Sequence, residues 1–163
     1  MNRDRFTLKA NSAIDESVKL AAANGNQEIT PLHITLAILS DPENIVPEVI
    51  KKTGADINRI ISSIEREIEK LPKIQGATDQ YLDKDFKKIL DQAETTAKQF
   101  KDDYVSTEHM FLAIIDLKDI VAKILNGNGI NRENFLRALM DIRGNQKITD
   151  QNPEEKMQTL KRY

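Results

Sequence analysis

An internal repeat constrains the fold of this chain more than any other feature of its sequence. Residues 29–39 read Ile-Thr-Pro-Leu-His-Ile-Thr-Leu-Ala-Ile-Leu, and residues 105–115, 76 positions later, read Val-Ser-Thr-Glu-His-Met-Phe-Leu-Ala-Ile-Ile. After a gap of one residue the alignment continues, with Ile64 matching Leu139. Because only two copies are present, the repeat predicts a paired, pseudo-symmetric domain and not an open array of units.

The hydrophobic pattern is helical in nearly every part of the chain. Apolar residues recur at spacings of three and four in 57–71 and in 86–100, which gives each segment one apolar face. No stretch alternates convincingly between apolar and polar residues, as a strand would. We predict about eight helices, near residues 7–24, 31–40, 46–53, 57–71, 83–101, 107–116, 119–126 and 132–143. The predicted fold class is all-α: two four-helix repeats, about 7–71 and 83–143, related by a pseudo-two-fold axis and without a sheet.

A change in composition marks a domain boundary. After Gly144 the polar run Asn-Gln-Lys-Ile-Thr-Asp-Gln-Asn occupies 145–152. The sequence Asn-Pro-Glu-Glu then resembles the capped, acidic start of another helix. We predict that one domain covers 1–144, and that 145–163 is a flexible linker followed by the start of a further segment.

Composition and charge exclude several classes of function. The 24 basic and 26 acidic side chains give a formal charge of −2, without the basic excess that a phosphate-neutralising nucleic-acid binder needs. The absence of cysteine excludes thiolate chemistry, and two histidines argue against a multi-histidine metal centre. No apolar run approaches the ~18 residues of a membrane span. We therefore expect a soluble, cytoplasmic protein without nucleic-acid or membrane partners.

The sequence offers no nucleotide site. The P-loop pattern G-x-x-x-x-G-K-[ST] is absent, and Gly127-Asn128-Gly129 lacks both the lysine and a preceding strand. We interpret these glycines as a helix stop and turn. This chain is therefore expected to be no enzyme and to bind no cofactor.

Two histidines, His33 and His109, occupy equivalent positions of the two repeats. Each follows by three residues a Thr or Ser that can cap a helix. Catalytic or metal-binding roles are seldom duplicated in this way. The pattern favours capping or packing over a phosphorylated or metal-binding histidine.

Three acidic residues, Asp102, Asp103 and Glu108, cluster around a predicted helix start. Acids at this position complement the helix dipole, which is a sufficient structural explanation. A carboxylate metal site in a free-standing helical enzyme is an alternative. The first repeat has Leu32 where the second has Glu108, so a symmetric capping role does not require this acid.

The doubled signature resembles a known family. Thr-Pro-Leu-His with Leu-Ala-Ile-Leu, and Ser-Thr-Glu-His with Leu-Ala-Ile-Ile, are similar to the N-terminal repeat domain of Clp-type AAA+ unfoldases, and within it to the disaggregase branch. Further support comes from the segments 4–7, 71–76, 143–144 and 160–163. The resemblance implies an all-helical, pseudo-two-fold fold of eight helices, followed by a flexible linker and two ATPase modules. ATP would be bound in those modules and not in this chain.

The resemblance also implies a function in binding. A domain of the disaggregase branch engages unfolded or aggregated polypeptide and passes it to the ATPase pore. The full-length protein would form a hexamer and work with an Hsp70-type chaperone system, whereas the isolated domain would be a monomer. The alternative is an adaptor-docking domain of a protease-partnered Clp ATPase, which would bind a folded adaptor.

Particular residues are implied as the substrate site. In the disaggregase branch a threonine near the N-terminus and two acids help bind substrate, and they match Thr7, Asp102 and Glu108. An apolar groove between the repeats includes a position that matches Leu90, and Tyr104 would add aromatic contact area. We expect these residues to form an exposed acidic rim beside Leu90.

Other positions depart from that pattern. Gln92, Thr96 and His109 stand at groove positions where the family suggests apolar side chains. Tyr81, in the connector between the repeats, is a less favoured candidate for substrate contact. Most apolar residues of these helices are expected to belong to the core.

Overall fold

The computed structural model describes residues 3–76 and 79–153. Within them, eight α-helices follow a short 3-10 turn at Arg3–Arg5, which confirms the predicted all-α class. The helices and two short strands are α1 (Leu8–Ala23), β1 (Glu28–Ile29), α2 (Pro31–Ser40), α3 (Ile45–Lys52), α4 (Ile57–Glu69), β2 (Tyr81–Leu82), α5 (Lys84–Gln99), α6 (Thr107–Leu117), α7 (Ile120–Gly127) and α8 (Arg132–Arg143). No helix of the described part is long and apolar enough to cross a membrane.

The two central helices are α2 and α6, the copies that carry the repeat signature. In α2 every residue from Pro31 to Leu39 is buried, and in α6 every residue from Thr107 to Ile114 is buried. The other helices surround them with amphipathic faces. On α4, for example, Ile60, Ile64 and Ile68 face the core.

Contacts between the repeats are reciprocal. Helix α3 of the first repeat packs on α8 of the second, and α7 of the second packs on α4 of the first. Helices α2 and α6 also contact each other. This exchange of equivalent contacts is the packing expected of a pseudo-two-fold arrangement.

A small parallel sheet was not expected from the sequence. Strand β1 pairs with β2, with Glu28 opposite Tyr81, and Phe6 forms an isolated parallel bridge with Val105. The expectation of no sheet is wrong in this detail. Strands of two residues are too short for an alternating pattern to reveal them.

In these pairings, the segment that precedes the first helix of each repeat is bound to the other repeat. The segment before α5 pairs with the first repeat, and the segment before α1 pairs with the second. The amide of Thr7 donates to the carbonyl of Val105 at 2.9 Å, and the amide of Asp83 donates to the carbonyl of Ile29 at 3.0 Å. Thr7 and Asp83 are repeat equivalents, and each also caps its own helix. The start of each repeat is therefore anchored on the other repeat.

The segment 145–152 differs from its prediction as a flexible linker. It lies against the domain, and the side chain of Ile148 is fully buried. The amide of Leu8 donates to the carbonyl of Gln151 at 2.7 Å, which ties this segment to the start of α1. The predicted further segment beyond Pro153 lies outside the described residues.

Replacing Ile64 tests the assignment of the α4 core face. Ile64 is fully buried, so Ile64→Ala should lower the free energy of unfolding by ~2–4 kcal/mol, from lost hydrophobic transfer and the remaining cavity. The control is Lys70→Ala, because the Lys70 side chain is 75% exposed and pairs with neighbouring Glu67. That change should cost less than ~0.5 kcal/mol. Urea unfolding measures both, and equal losses would contradict the helix phase.

Candidate functional site

The two repeated histidines cap the central helices. Nδ1 of His33 accepts a hydrogen bond from the amide of Thr30 at 2.9 Å, and Nδ1 of His109 accepts one from the amide of Ser106 at 2.9 Å. A backbone amide only donates, so Nδ1 carries no proton in either ring. Both side chains are fully buried. The structural role predicted for these histidines is confirmed as a reciprocal capping box.

The other ring nitrogen of each histidine contacts the residue seven positions earlier. Because Nδ1 is an acceptor, Nε2 holds the proton and donates it. His33 donates to Oδ1 of Asn26 at 2.9 Å, and His109 donates to Oδ2 of Asp102 at 2.7 Å. The two repeats thus share one arrangement, with an amide in the first and a carboxylate in the second.

Ser106, His109 and Asp102 have the composition of a hydrolytic triad but not its chemistry. The hydroxyl of Ser106 lies 3.1 Å from Nδ1 of His109, and all three residues are buried. The lone pair at Nδ1 is already used by a backbone amide, so it is not available as a general base. The first repeat makes the same cap with Thr30 and a neutral amide, which indicates a structural role.

Asp102 is the centre of a buried ionic cluster in the second repeat. Its side chain is fully buried and accepts two hydrogen bonds from Arg143, at 2.9 Å to Oδ2 and at 2.7 Å to Oδ1. Oδ1 also accepts from the amide of Ile148 at 3.0 Å. The guanidinium of Arg143 lies 5.5 Å from the centre of the Phe100 ring. We call Asp102, His109 and Arg143 the Asp102 cluster.

The charge of Asp102 is fixed by these donors. Burial would raise the pKa of the carboxyl, but hydrogen bonds from His109, Arg143 and the Ile148 amide outweigh it and hold the pKa at about 2. The stabilisation is present above the ordinary pKa of 3.8 and is lost as pH falls towards 2. Asp102 is therefore ionised at neutral pH.

The first repeat has neutral residues at the same places. Asn26 corresponds to Asp102, and the register that aligns Ile64 with Leu139 places Ile68 opposite Arg143. Ile68 is buried in the core. The repeats therefore differ by a buried acid and base that appear together in one copy and are absent together from the other.

Glu108 belongs to the same buried region. Its side chain is fully buried, Oε1 accepts a hydrogen bond from the hydroxyl of Ser106, and Oε2 lies 4.0 Å from Nη1 of Arg143. No hydrogen-bond donor reaches Oε2 among the described residues. Glu108 thus adds a second buried carboxyl group beside the single guanidinium.

The expected exposed acidic rim is wrong. Thr7 is fully buried as the cap of α1, and Asp102 and Glu108 are buried around Arg143. Leu90 is 4% exposed and belongs to the core. These residues are enclosed because the start of α1, the loop before α6 and the end of α8 meet there. Their role in substrate binding, implied by resemblance, stays a prediction.

Of the five residues implied as the substrate site, Tyr104 has the largest accessible surface, and it is half-buried. It lies in the loop between α5 and α6, next to Val105, which pairs with Phe6. Of the three groove positions that depart from the family pattern, Thr96 and His109 are fully buried and Gln92 is exposed. The structure therefore does not bring the predicted residues together as one open surface.

A metal site at the three acids gains no support. Both oxygens of Asp102 accept hydrogen bonds from Arg143, and Asp103 is exposed. Within 3–76 and 79–153, no group of His, Asp or Glu side chains is arranged to hold a metal ion.

A cavity lies on the connector between the repeats, where the sequence did not indicate one. It has a volume of about 190 Å³ and is lined on its apolar side by Leu71, Pro72, Ile74 and Tyr81. Ile74 is 37% exposed and Tyr81 is 48% exposed, and the Tyr81 hydroxyl donates to Glu28 at 2.8 Å. The sequence predicts Tyr81 as a less favoured candidate for substrate contact in this connector. We call it the connector cavity.

The size of the connector cavity suits one side chain of a peptide. Pockets for cofactors and drug-sized ligands usually measure about 300–1,000 Å³. Its floor is held in place because Nδ2 of Asn26 donates to the carbonyl of Pro72 at 3.1 Å, and the amide of Ile74 donates to the carbonyl of Gly25 at 2.8 Å. The cavity therefore offers a fixed, partly apolar contact point.

Acid should destabilise the protein through His33. Burial lowers the pKa of His33 from 6.5 to about 4, so the unfolded chain binds a proton in this range and the folded chain does not. Stability should fall by about 3 kcal/mol as pH drops from 6.5 towards 4. His33→Gln keeps an acceptor for the cap and does not titrate, so urea unfolding should show a flatter pH profile. An unchanged profile in the variant would contradict this.

Removing Asp102 should leave Arg143 buried without the carboxylate that accepts two of its hydrogen bonds. Asp102→Ala is expected to cost ~3–5 kcal/mol. The adjacent Asp103→Ala is the control, because that side chain is exposed, and it should stay within ~0.5 kcal/mol. Thermal or urea unfolding measures both. Similar stability of the two variants would show that the ionic cluster is not as enclosed as described.

Comparison with known proteins identifies the domain type. The profile of the family described as "Clp repeat (R) N-terminal domain" matches residues 5–128. The chain is 35% identical over 165 residues to the chaperone protein ClpB of Rickettsia conorii, and 30% identical over 169 residues to ClpB of Clostridium perfringens. Each match includes the whole of this chain but only 19% and 20% of the relative. The chain thus spans about a fifth of the length of the curated relatives that it matches.

Solved structures share the fold. The Hsp104 N-terminal domain from Candida albicans superposes with a TM-score of 0.81 at 22% identity, covering 91% of this chain and 98% of that one. The N-domain of ClpV from Vibrio cholerae gives a TM-score of 0.72 at 18% identity, covering 85% of this chain and 84% of that one. A ClpV N-domain in complex with a VipB peptide gives 0.67 at 17%, covering 84% and 86%. The chain therefore belongs to the Clp repeat N-terminal domain family.

Proposed function

We propose that this chain is the polypeptide-binding domain of a ClpB-type disaggregase, which engages unfolded or aggregated protein and passes it to an ATPase pore. One structural observation supports the connector cavity as the binding site. Five large apolar side chains are exposed among the described residues, and two of them, Ile74 and Tyr81, line the same cavity. The matches to ClpB chaperones over the whole chain support the same function.

The proposed mechanism is reversible binding and involves no bond chemistry. An apolar side chain of an extended segment enters the connector cavity and is covered by Ile74 and Tyr81. Such a contact buries far less area than the ~1,200–2,000 Å² of a stable protein–protein interface. Binding is therefore weak, which suits a site that must release its client to the next component.

The buried acids contribute indirectly under this proposal. A client cannot touch the side chains of Thr7, Asp102 or Glu108 while the domain is folded as described. Any effect of these residues on clients would act through the segments that they position. Tyr104 retains accessible surface and remains a candidate for direct contact.

The remaining features of the proposal concern the full-length protein. The chain itself needs no cofactor, since ATP would be bound in modules outside it. Those modules would assemble the hexamer, and an Hsp70-type system would act with it. The domain of residues 1–144 would be monomeric in isolation, and the protein would work in the cytoplasm without nucleic-acid or membrane partners.

The alternative function is docking of a specific partner, as in an adaptor-binding N-domain. The observation that favours it is the structural similarity to a ClpV N-domain solved with a VipB peptide. A docking domain would prefer one peptide sequence or one folded adaptor, whereas a client-binding domain tolerates many unfolded sequences. Binding of a peptide and of its scrambled version separates the two, with equal affinity expected here.

Changing Ile74 tests the proposed site. Ile74→Asp should weaken binding of a fluorescein-labelled, permanently unfolded polypeptide by roughly 5–30-fold, equivalent to ~1–2 kcal/mol of lost apolar contact. Ile120→Asp is the matched control, because Ile120 is 41% exposed but does not line the cavity. Fluorescence anisotropy gives the affinity, and melting curves confirm folding. Equal effects of the two changes would refute the connector cavity as the client site.

A further inference from the structure

The segment after α8 is held to the domain by four polar contacts around Ile148. We call residues 145–152 the exit connector. The Ile148 amide donates to Oδ1 of Asp102 at 3.0 Å, and its carbonyl accepts from the Asp103 amide at 2.8 Å. Arg143 donates to the carbonyl of Gln146 at 3.0 Å, and Lys147 donates to the carbonyl of Phe100 at 2.9 Å. The segment is therefore paired with the loop that precedes α6.

The exit connector also reaches the start of the chain. The Leu8 amide donates to the carbonyl of Gln151 at 2.7 Å. The side-chain amide of Gln151 donates to the carbonyls of Asp4 and Phe6, at 3.0 and 3.4 Å. Three separate parts of the domain thus fix its path: the first residues, the loop before α6 and the end of α8.

The first repeat shows a similar arrangement without a buried acid and base. There the segment after α4 is held by Asn26, whose side-chain amide donates to the carbonyl of Pro72 at 3.1 Å, and by exposed Lys73, which donates to the carbonyl of Asn24 at 3.4 Å. Ile68 lies where the second repeat has Arg143, and Ile74 remains 37% exposed, whereas Ile148 is fully buried. The repeat can therefore fold, cap its histidine and return its connector without a buried ion pair.

The buried charges of Asp102 and Arg143 are not required by the fold itself. A buried ion pair is often no more stabilising than apolar residues of similar size, because both charges lose their hydration. The neutral copy in the same chain shows that the fold does not need the pair. In the second repeat, each member of the pair also binds the exit connector. Asp102 accepts a hydrogen bond from the Ile148 amide, and Arg143 donates one to the carbonyl of Gln146.

We propose that Asp102 and Arg143 form a latch that holds the exit connector in one docked path, with Asp102 acting as a positioning residue for this connector and not as a client contact. Release of the latch would leave the exit connector held only by its contacts at Asp103, Lys147 and Gln151 among those described. If these also open, its eight residues extend to about 28 Å at most. The latch thus determines whether a segment attached to the connector is held close to α1 and α6 or is free to move. This inference goes beyond client binding and does not depend on it.

Amide hydrogen exchange of the whole chain tests the latch. Asp102→Asn keeps an oxygen that accepts from His109, as Asn26 does for His33, so the cap of α6 should survive. The Ile148 and Asp103 amides should exchange at least tenfold faster relative to Met110 in α6. Asp103→Asn is the matched control, since it makes the same chemical change on an exposed neighbour and should leave these amides unchanged.

A triple variant provides the test if Asp102→Asn alone unfolds. Asp102→Asn with Glu108→Leu and Arg143→Ile recreates the neutral residues of the first repeat at all three positions. It should fold, and trypsin should cleave the Lys147–Ile148 bond at least tenfold faster than in the natural chain. Unchanged cleavage and unchanged protection of Ile148 in the folded triple variant would overturn the latch. Affinity for an unfolded polypeptide reports separately on the proposed function, and it should not change in this variant.

Discussion

The structure depends on how the two central helices begin inside the protein. Both α2 and α6 are buried over nearly their whole length, so their first amides cannot be hydrated. An unpaired buried amide costs about 1–3 kcal/mol. The cap residues Thr30 and Ser106 satisfy amides of the first turn. In return, His33 and His109 accept the buried amide hydrogens of these cap residues at one ring nitrogen and donate at the other. Each histidine thereby connects the helix start to the loop before it, and the loops hold the connectors.

The two repeats share this arrangement but use it differently. Around His33 the chain is neutral, and the connector leaves Ile74 and Tyr81 partly exposed over a cavity. Around His109 a carboxylate and a guanidinium are added, and Ile148 is enclosed. We interpret the first connector as a surface for binding and the second as a fixed exit from the domain. The two repeats thus share one fold and differ in the buried charges beside their connectors.

Local sequence signals predicted the helices and their caps, because spacing, proline and cap residues act within a few positions. They predicted the paired repeats because the signature at 29–39 returns at 105–115. They could not predict that Arg143 would reach Asp102, 41 residues earlier, and that burial would remove the acids from the surface. The pairing of Phe6 with Val105 and the docking of Ile148 were missed for the same reason: both depend on tertiary contacts between distant segments.

Chemical-shift mapping of the folded domain with an unfolded polypeptide tests whether clients contact the connector between the repeats while the Asp102 cluster serves the architecture. We expect the largest shift changes at residues 71–76 and at Tyr81–Leu82, with little change in α5 around Leu90. Changes centred on Leu90 and the loop before α6, with the connector unaffected, would contradict this expectation.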